Sequence, residues 1–164
     1  MNRIPHGYTY SEVLIAVALV FCGVILILAM ASPITQYRRA QDEIRAQDVQ
    51  NILEVMLEMQ YTEPETFAGI IGTIAGGRTM IGESTLCAGN FGSMCSGSDI
   101  QDHCVNLSKA GALKYIASLP IDAKTQVYTN NQTGYYLELK DQTLIVGACN
   151  PRAQEKIELE ASLK

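Results

Sequence analysis

The sequence predicts an α+β fold in which one long N-terminal helix carries a small sheet-containing head. Three observations predict it. An uncharged apolar run from Val13 through Ala31 passes into a helical amphipathic pattern that continues to about Gln60. A stretch rich in Gly, Ser and Thr follows, from Thr62 to Ser98. The last part of the chain then sets β-branched and aromatic residues between turn-forming pairs. With 164 residues the chain has room for one domain and an appendage, and too little for two independent cores.

The N-terminal element comes first. At about 1.5 Å of rise per residue, the helix from Val13 to Ala31 can cross a hydrocarbon core of about 30 Å. A short polar leader, MNRIPHGYTYSE, precedes it and ends in a carboxylate, Glu12, set directly against the apolar run. A charge at the centre of a spanning helix costs about 2.5 to 3.5 kcal/mol on insertion scales, and less near an end, so such a residue asks for a partner. The plain alternative is that Glu12 lies at headgroup depth and reaches water.

The run Gly7-Tyr8-Thr9-Tyr10-Ser11-Glu12-Val13-Leu14-Ile15-Ala16 resembles the prepilin signature of type IV pilins and the secretion and competence pseudopilins. The leader ends in Gly, an aromatic residue follows, and the glutamate is the fifth residue after the Gly. The resemblance implies cleavage between Gly7 and Tyr8 by the membrane prepilin peptidase, with N-methylation of Tyr8. It also implies that Glu12 pairs with the terminal ammonium of a neighbouring subunit as helices bundle in a filament. Two opposite charges in a low-dielectric bundle compensate each other, so the pair favours correctly staggered assembly. The sequence departs from the pattern at Tyr8, where Phe is commoner, at Pro5 and His6, and in having only Arg3 as a leader base.

Two other readings of this segment compete. Ala29-Met30-Ala31 before Ser32 has the form of a secretory cleavage site, but an acid abuts the run where a basic region is expected. A lipoprotein cut before Cys22 would place bulky Phe21 where a small residue is needed, so Cys22 reads as an apolar helix residue. Arg38, Arg39 and Arg45 follow the span and outnumber Arg3, so the positive-inside count does not itself place the C-terminal part outside.

Pro33 interrupts the helical pattern and removes one backbone hydrogen bond. Beyond it, Arg38 with Asp42 and Arg39 with Glu43 are spaced for ion pairs on a solvated surface. Val49, Ile52, Leu53 and Met56 mark an apolar face opposite Asp48, Gln50, Glu54 and Glu58, a face expected to lie on a sheet. One helix is therefore expected from Tyr8 to about Gln60, with 13–31 as span and 34–60 amphipathic, followed by a head over 61–164.

Thr62 to Ser98 reads as loop with at most short strands or turns, and it lacks the strand and Lys context of a phosphate-binding loop. A second, shorter helix is expected from Asp102 to Ser118. Strands are expected at Gln126–Asn130, Gly134–Lys140 and Thr143–Cys149, with turns at Asn130–Thr133 and Asp141–Gln142. Tyr136, Leu139 and Ile145 are the candidates for the packed face. The tail around Ile157 and Leu159 is left open between a final strand and a loose amphipathic piece.

With these elements, the resemblance implies a type IV pilin-like α+β head, the long helix packed on a small antiparallel sheet. The segment Ser118-Leu119-Pro120-Ile121-Asp122 is also similar to the LPxD turn of major pseudopilins, which makes Asp122 a calcium candidate, although Ala123 stands where Pro is usual. No other cofactor is expected.

A net charge of −5 gives no clustered Lys and Arg for phosphates, so direct nucleic-acid binding is not expected. Four of the five cysteines, Cys87, Cys95, Cys104 and Cys149, follow the apolar run, a count that suits disulfides in an oxidising compartment. Three pairings are open, with Cys87–Cys95 and Cys104–Cys149 preferred. Zinc held by His103-Cys104 with Cys87 and Cys95 is disfavoured, because adjacent residues rarely point at one metal and no C-x-x-C occurs. His6 and His103 are the only histidines and no hydrolase motif is present, so no enzyme is expected. Asn106 and Asn131 begin glycosylation sequons, which are common by chance.

These readings converge on a membrane-anchored prepilin that polymerises into a cell-surface or periplasmic filament. Its implied partners are further copies of itself, the prepilin peptidase, an inner-membrane assembly platform and membrane lipid. The alternative is a single-pass anchored extracytoplasmic binding protein that never polymerises.

Overall fold

The computed structural model describes residues 9–84, 87, 95, 100–122, 128–153 and 156–163. It divides into two units, Met1–Arg38 and Arg39–Lys164. Helix α1 spans Tyr10–Thr62 without a break, with Pro33 inside it. Throughout Val13–Leu28 the large apolar side chains are at least half exposed; Leu19, Phe21 and Ile27 each show 68% of their surface. This segment is long and apolar enough to cross a membrane.

The second unit is built on the other half of α1. Val49, Ile52, Val55, Met56 and Met59 recur at intervals of three and four and are buried against Leu137, Leu144 and Val146 of the sheet. The amphipathic face expected of this half is therefore the one that packs. The unit begins at Arg39 rather than at residue 61 because this part of α1 supplies one wall of its core.

Helix α2 follows at once, Pro64–Ile74, in a segment expected to be loop. Pro64 fits the first helical turn, where its missing N–H is no loss. Phe67, Ile70 and Ile74 bury one face, while Gly69 and Gly72 look onto open space. Spacing of the apolar trio overrides the helix-weakening glycines, which lie on the solvent side.

The sheet has five strands in the order β2-β1-β3-β4-β5, with β1 at Arg78–Ile81, β2 at Ile100–Val105, β3 at Tyr135–Lys140, β4 at Thr143–Ala148 and β5 at Glu158–Ser162. It is mixed rather than antiparallel. β1 and β2 pair in parallel, with a register shift between Arg78 and Met80, and the other pairs are antiparallel. The helix expected over Asp102–Ser118 is mostly absent: its first residues complete β2, and only a short 3-10 turn, Ala112–Lys114, follows. Gly111 at φ 91° and the Asn106 side chain, which accepts from the Lys109 N–H at 2.9 Å, impose turns there.

The β3–β4 hairpin matches expectation closely, its two-residue turn formed by Asp141 and Gln142 at φ 48° and 65°. The expected packed face does not match. Tyr135, Leu137 and Leu144 face α1, whereas Tyr136 lies on the opposite face with Met80, Tyr128 and the cysteines. Strand alternation separates Tyr136 from Leu139, which packs on the α1 side. Gly147 lies beneath Tyr136, where a Cβ would collide with the ring. The tail forms β5 on the free edge of β4. The strand expected over Gln126–Asn130 lies partly outside the described residues; its described end forms an isolated bridge, Thr129 with Gln132.

Candidate functional site

Gly7 and Tyr8, the expected cleavage and methylation positions, lie outside the described residues. Glu12 is described, and it is already bonded within its own chain. Thr9 caps α1: its N–H and its hydroxyl donate to Glu12 Oε2 at 2.7 and 2.8 Å. The reciprocal contact, Glu12 N–H to Thr9 Oγ1, is longer at 3.4 Å. This is a capping box, in which the third helical residue reaches back to satisfy a donor that the helix start leaves unpaired. The signal was legible as Thr9-Tyr10-Ser11-Glu12, an [ST]-x-x-[DE] pattern before an apolar run. The cap begins after the Gly7-Tyr8 bond, so it uses nothing that cleavage there would remove.

Beyond Glu12 the helix offers a uniform apolar surface. Each such side chain is worth roughly 1.5 to 3 kcal/mol when removed from water. The surface from Val13 to Leu28 thus calls for lipid or other apolar helices around it. Cys22 is a free, exposed thiol on it.

In the second unit, a buried ionic network centres on Arg45, which entered the sequence reading only as a positive charge. Its Nε and Nη2 donate to the two Asp122 oxygens at 2.7 and 2.8 Å, and Nη1 donates to Asp42 Oδ1 at 2.7 Å. All three side chains are buried, with 1% or less of the surface exposed. Asp42 also accepts from the backbone N–H groups of Arg152 and Ala153, the latter at 2.6 Å. The hydrogen bonds it donates to Asp122 hold the guanidinium firmly protonated. Asp42 therefore turns inward and is not part of the solvated pair expected with Arg38. Asp122, the calcium candidate, gives both oxygens to a cation already in place, and among the described residues no group of three His, Cys, Asp or Glu is placed to hold a metal.

Next to this network, the Tyr135 hydroxyl donates to Asp48 Oδ2 at 2.6 Å. Burial raises both pKa values, the carboxyl and the phenol alike. On the other sheet face, Arg78 lies 4.2 Å from the centre of the Tyr136 ring and bonds Glu138, while the Tyr136 hydroxyl donates to Glu158.

The cysteines pair as Cys87–Cys104 and Cys95–Cys149, with Cα separations of 5.4 and 4.3 Å, which replaces the preferred pairing. Cys87 lies beside β2, its N–H bonding the Asp102 carbonyl at 3.0 Å, which sets it next to Cys104. All four partners sit in the minor core with Tyr128 and Tyr136. His103 is on β2 beside Cys104, its Nε2 against the Thr73 carbonyl at 3.2 Å, and it joins no cysteine cluster.

Comparison with known proteins finds no family model, no curated protein and no solved structure that matches this chain.

Proposed function

We propose that the chain is the structural subunit of a type IV pilus or pseudopilus, made as a prepilin, anchored through the first half of α1 and polymerised through that same half. The supporting observation is the exposed apolar surface of Val13–Leu28 with a carboxylate, Glu12, at its leading end and a bulky folded head after it. Processing between Gly7 and Tyr8 by prepilin peptidase would leave a new ammonium four residues before Glu12. In a bundle of such helices the ammonium of one copy faces the Glu12 of another. The assembly platform and the lipid of the inner membrane are the partners before polymerisation, and the filament then lies in the periplasm or at the cell surface.

One observation favours the rival reading, a single-pass anchored binding protein: Glu12 has donors in its own chain and needs no neighbour to be satisfied as a helix cap. Mass spectrometry of the membrane-extracted protein separates the readings. A chain beginning at methylated Tyr8 is expected. A chain beginning at Met1 in the native cell removes the prepilin reading, and one beginning at Ser32 makes the segment a secretory signal.

A further inference from the structure

On the head, the solvent side of α1 and the segment after the 3-10 turn enclose an open groove of about 560 Å³. Its floor is apolar, Val55 and Ile116, and Tyr115 forms one wall. Glu54 and Glu58 stand exposed on the rim. The wall is fixed: the Tyr115 hydroxyl bonds Thr62 Oγ1, and Lys114 pairs with Glu63. Gln50 Nε2 steadies Glu54 at 2.9 Å. The groove is therefore preformed, apolar below and negative above.

The same chain carries a surface of the opposite character. Ile34, Tyr37 and Arg38 follow one another at i, i+3 and i+4 on α1, which puts them on one helix face. Ile34 and Tyr37 each expose 60% of their surface, and Arg38 is exposed as well. This is an apolar pair with a guanidinium beside it.

We propose that the groove receives the Ile34–Tyr37–Arg38 face of a second copy of this chain, with Arg38 at Glu54 and Glu58 and the Tyr37 ring over Val55 and Ile116. The argument is complementarity of charge and of apolar shape between two surfaces of one polypeptide. The contact is heterologous, groove to helix face, and so leaves each copy a free groove or a free helix face for the next, as growth of a filament requires. It rests on the polymer reading above and adds a head-level contact to the bundling of the apolar helices. Its charged part weakens with salt, because the rim is in solvent.

The test uses two differently tagged full-length copies co-expressed in membranes, one carrying Arg38→Cys and the other Glu58→Cys, oxidised with a mild thiol oxidant and mapped by mass spectrometry. The native Cys22 thiols report bundling of the apolar helices independently. Both links, 38 to 58 and 22 to 22, are expected. In the parent background, Arg38→Glu and Glu58→Lys should each lower filament yield several-fold, roughly what one or two rim charge pairs supply, and the double variant should recover it. Both sites are exposed, so head melting should not change. A 22-to-22 link without the 38-to-58 link overturns this contact and leaves the polymer reading standing. Absence of both links removes the polymer reading and this contact with it. If Arg38→Glu lowers binding to anionic vesicles while the 38-to-58 link never forms, Arg38 belongs to the lipid surface and the proposal fails.

Discussion

Arg45 and Asp122 lie 77 residues apart in sequence and meet as a two-pronged ion pair inside the head. The pair fixes α1 to Asp122, just after Pro120, and Asp42 extends the grip to the backbone at Arg152 and Ala153. Removing one partner of such a pair strands a buried charge. Asp122→Ala should therefore destabilise the head by about 3 to 5 kcal/mol, measured by chemical unfolding of the detergent-extracted chain. Asp122→Asn, which keeps an acceptor for one guanidinium N–H, should lose less. An unchanged midpoint for Asp122→Ala would mean the pair is hydrated rather than buried.

The two roles available to Glu12 separate by charge. Glu12→Gln keeps an oxygen that accepts from the Thr9 N–H and removes the negative charge, whereas Glu12→Ala removes both. Pairing with a neighbour's ammonium predicts that both variants insert in the membrane and both fail to form filaments. A cap-only role predicts filaments from Glu12→Gln, with Glu12→Ala costing only about 0.5 to 2 kcal/mol of helix-end stability.

Disulfide mapping of the unreduced protein should recover Cys87 with Cys104 and Cys95 with Cys149. The second bond closes the longer loop, a sequence separation of 54 against 17. In the chain-entropy account the longer closure stabilises more, so Cys149→Ser should cost about 2 to 4 kcal/mol and slightly more than Cys87→Ser. Recovery of Cys87 with Cys95 would refute the arrangement.

The head should be sensitive to alkali. Tyr128, Tyr135 and Tyr136 are buried, and burial raises each phenol pKa. The unfolded chain releases these protons near pH 10, and the folded one holds them to higher pH. Stability from this source is thus complete below about pH 10 and declines above it. Absorbance titration near 295 nm should show these three buried tyrosines ionising only together with unfolding.

Gly147 gives a sharper packing test. A methyl there meets the Tyr136 ring and the Glu158 side chain in the adjoining strands. Gly147→Ala should cost about 1 to 3 kcal/mol as overpacking, read as a lower melting temperature.

The sequence was most legible where one signal dominates locally. The uncharged run, the stripe from Val49 to Met59 and the Asp141–Gln142 turn each depend on neighbours in the chain, and α1 and the β3–β4 hairpin appear where expected. What failed depends on distant partners. Phe67, Ile70 and Ile74 become a helix face only because a core lies beneath them, and the residues Gln101–Val105 become strand only because β1 offers an edge. Arg45 looked like one more basic residue after the span, since nothing near it announces Asp122. The Thr9–Glu12 box was readable and was eclipsed by the longer signature around it.

The parallel strand at the sheet edge ties completion of the head to the redox state of its cysteines. β2 pairs with β1 in parallel, and Cys87 and Cys95, which lie between them in sequence, are fastened to β2 and to the residue after β4. A copy still facing a reducing interior would carry this border loosely. Oxidation of both pairs thus acts as a maturation step for the head, and only molecules that have met an oxidant present a finished outer margin.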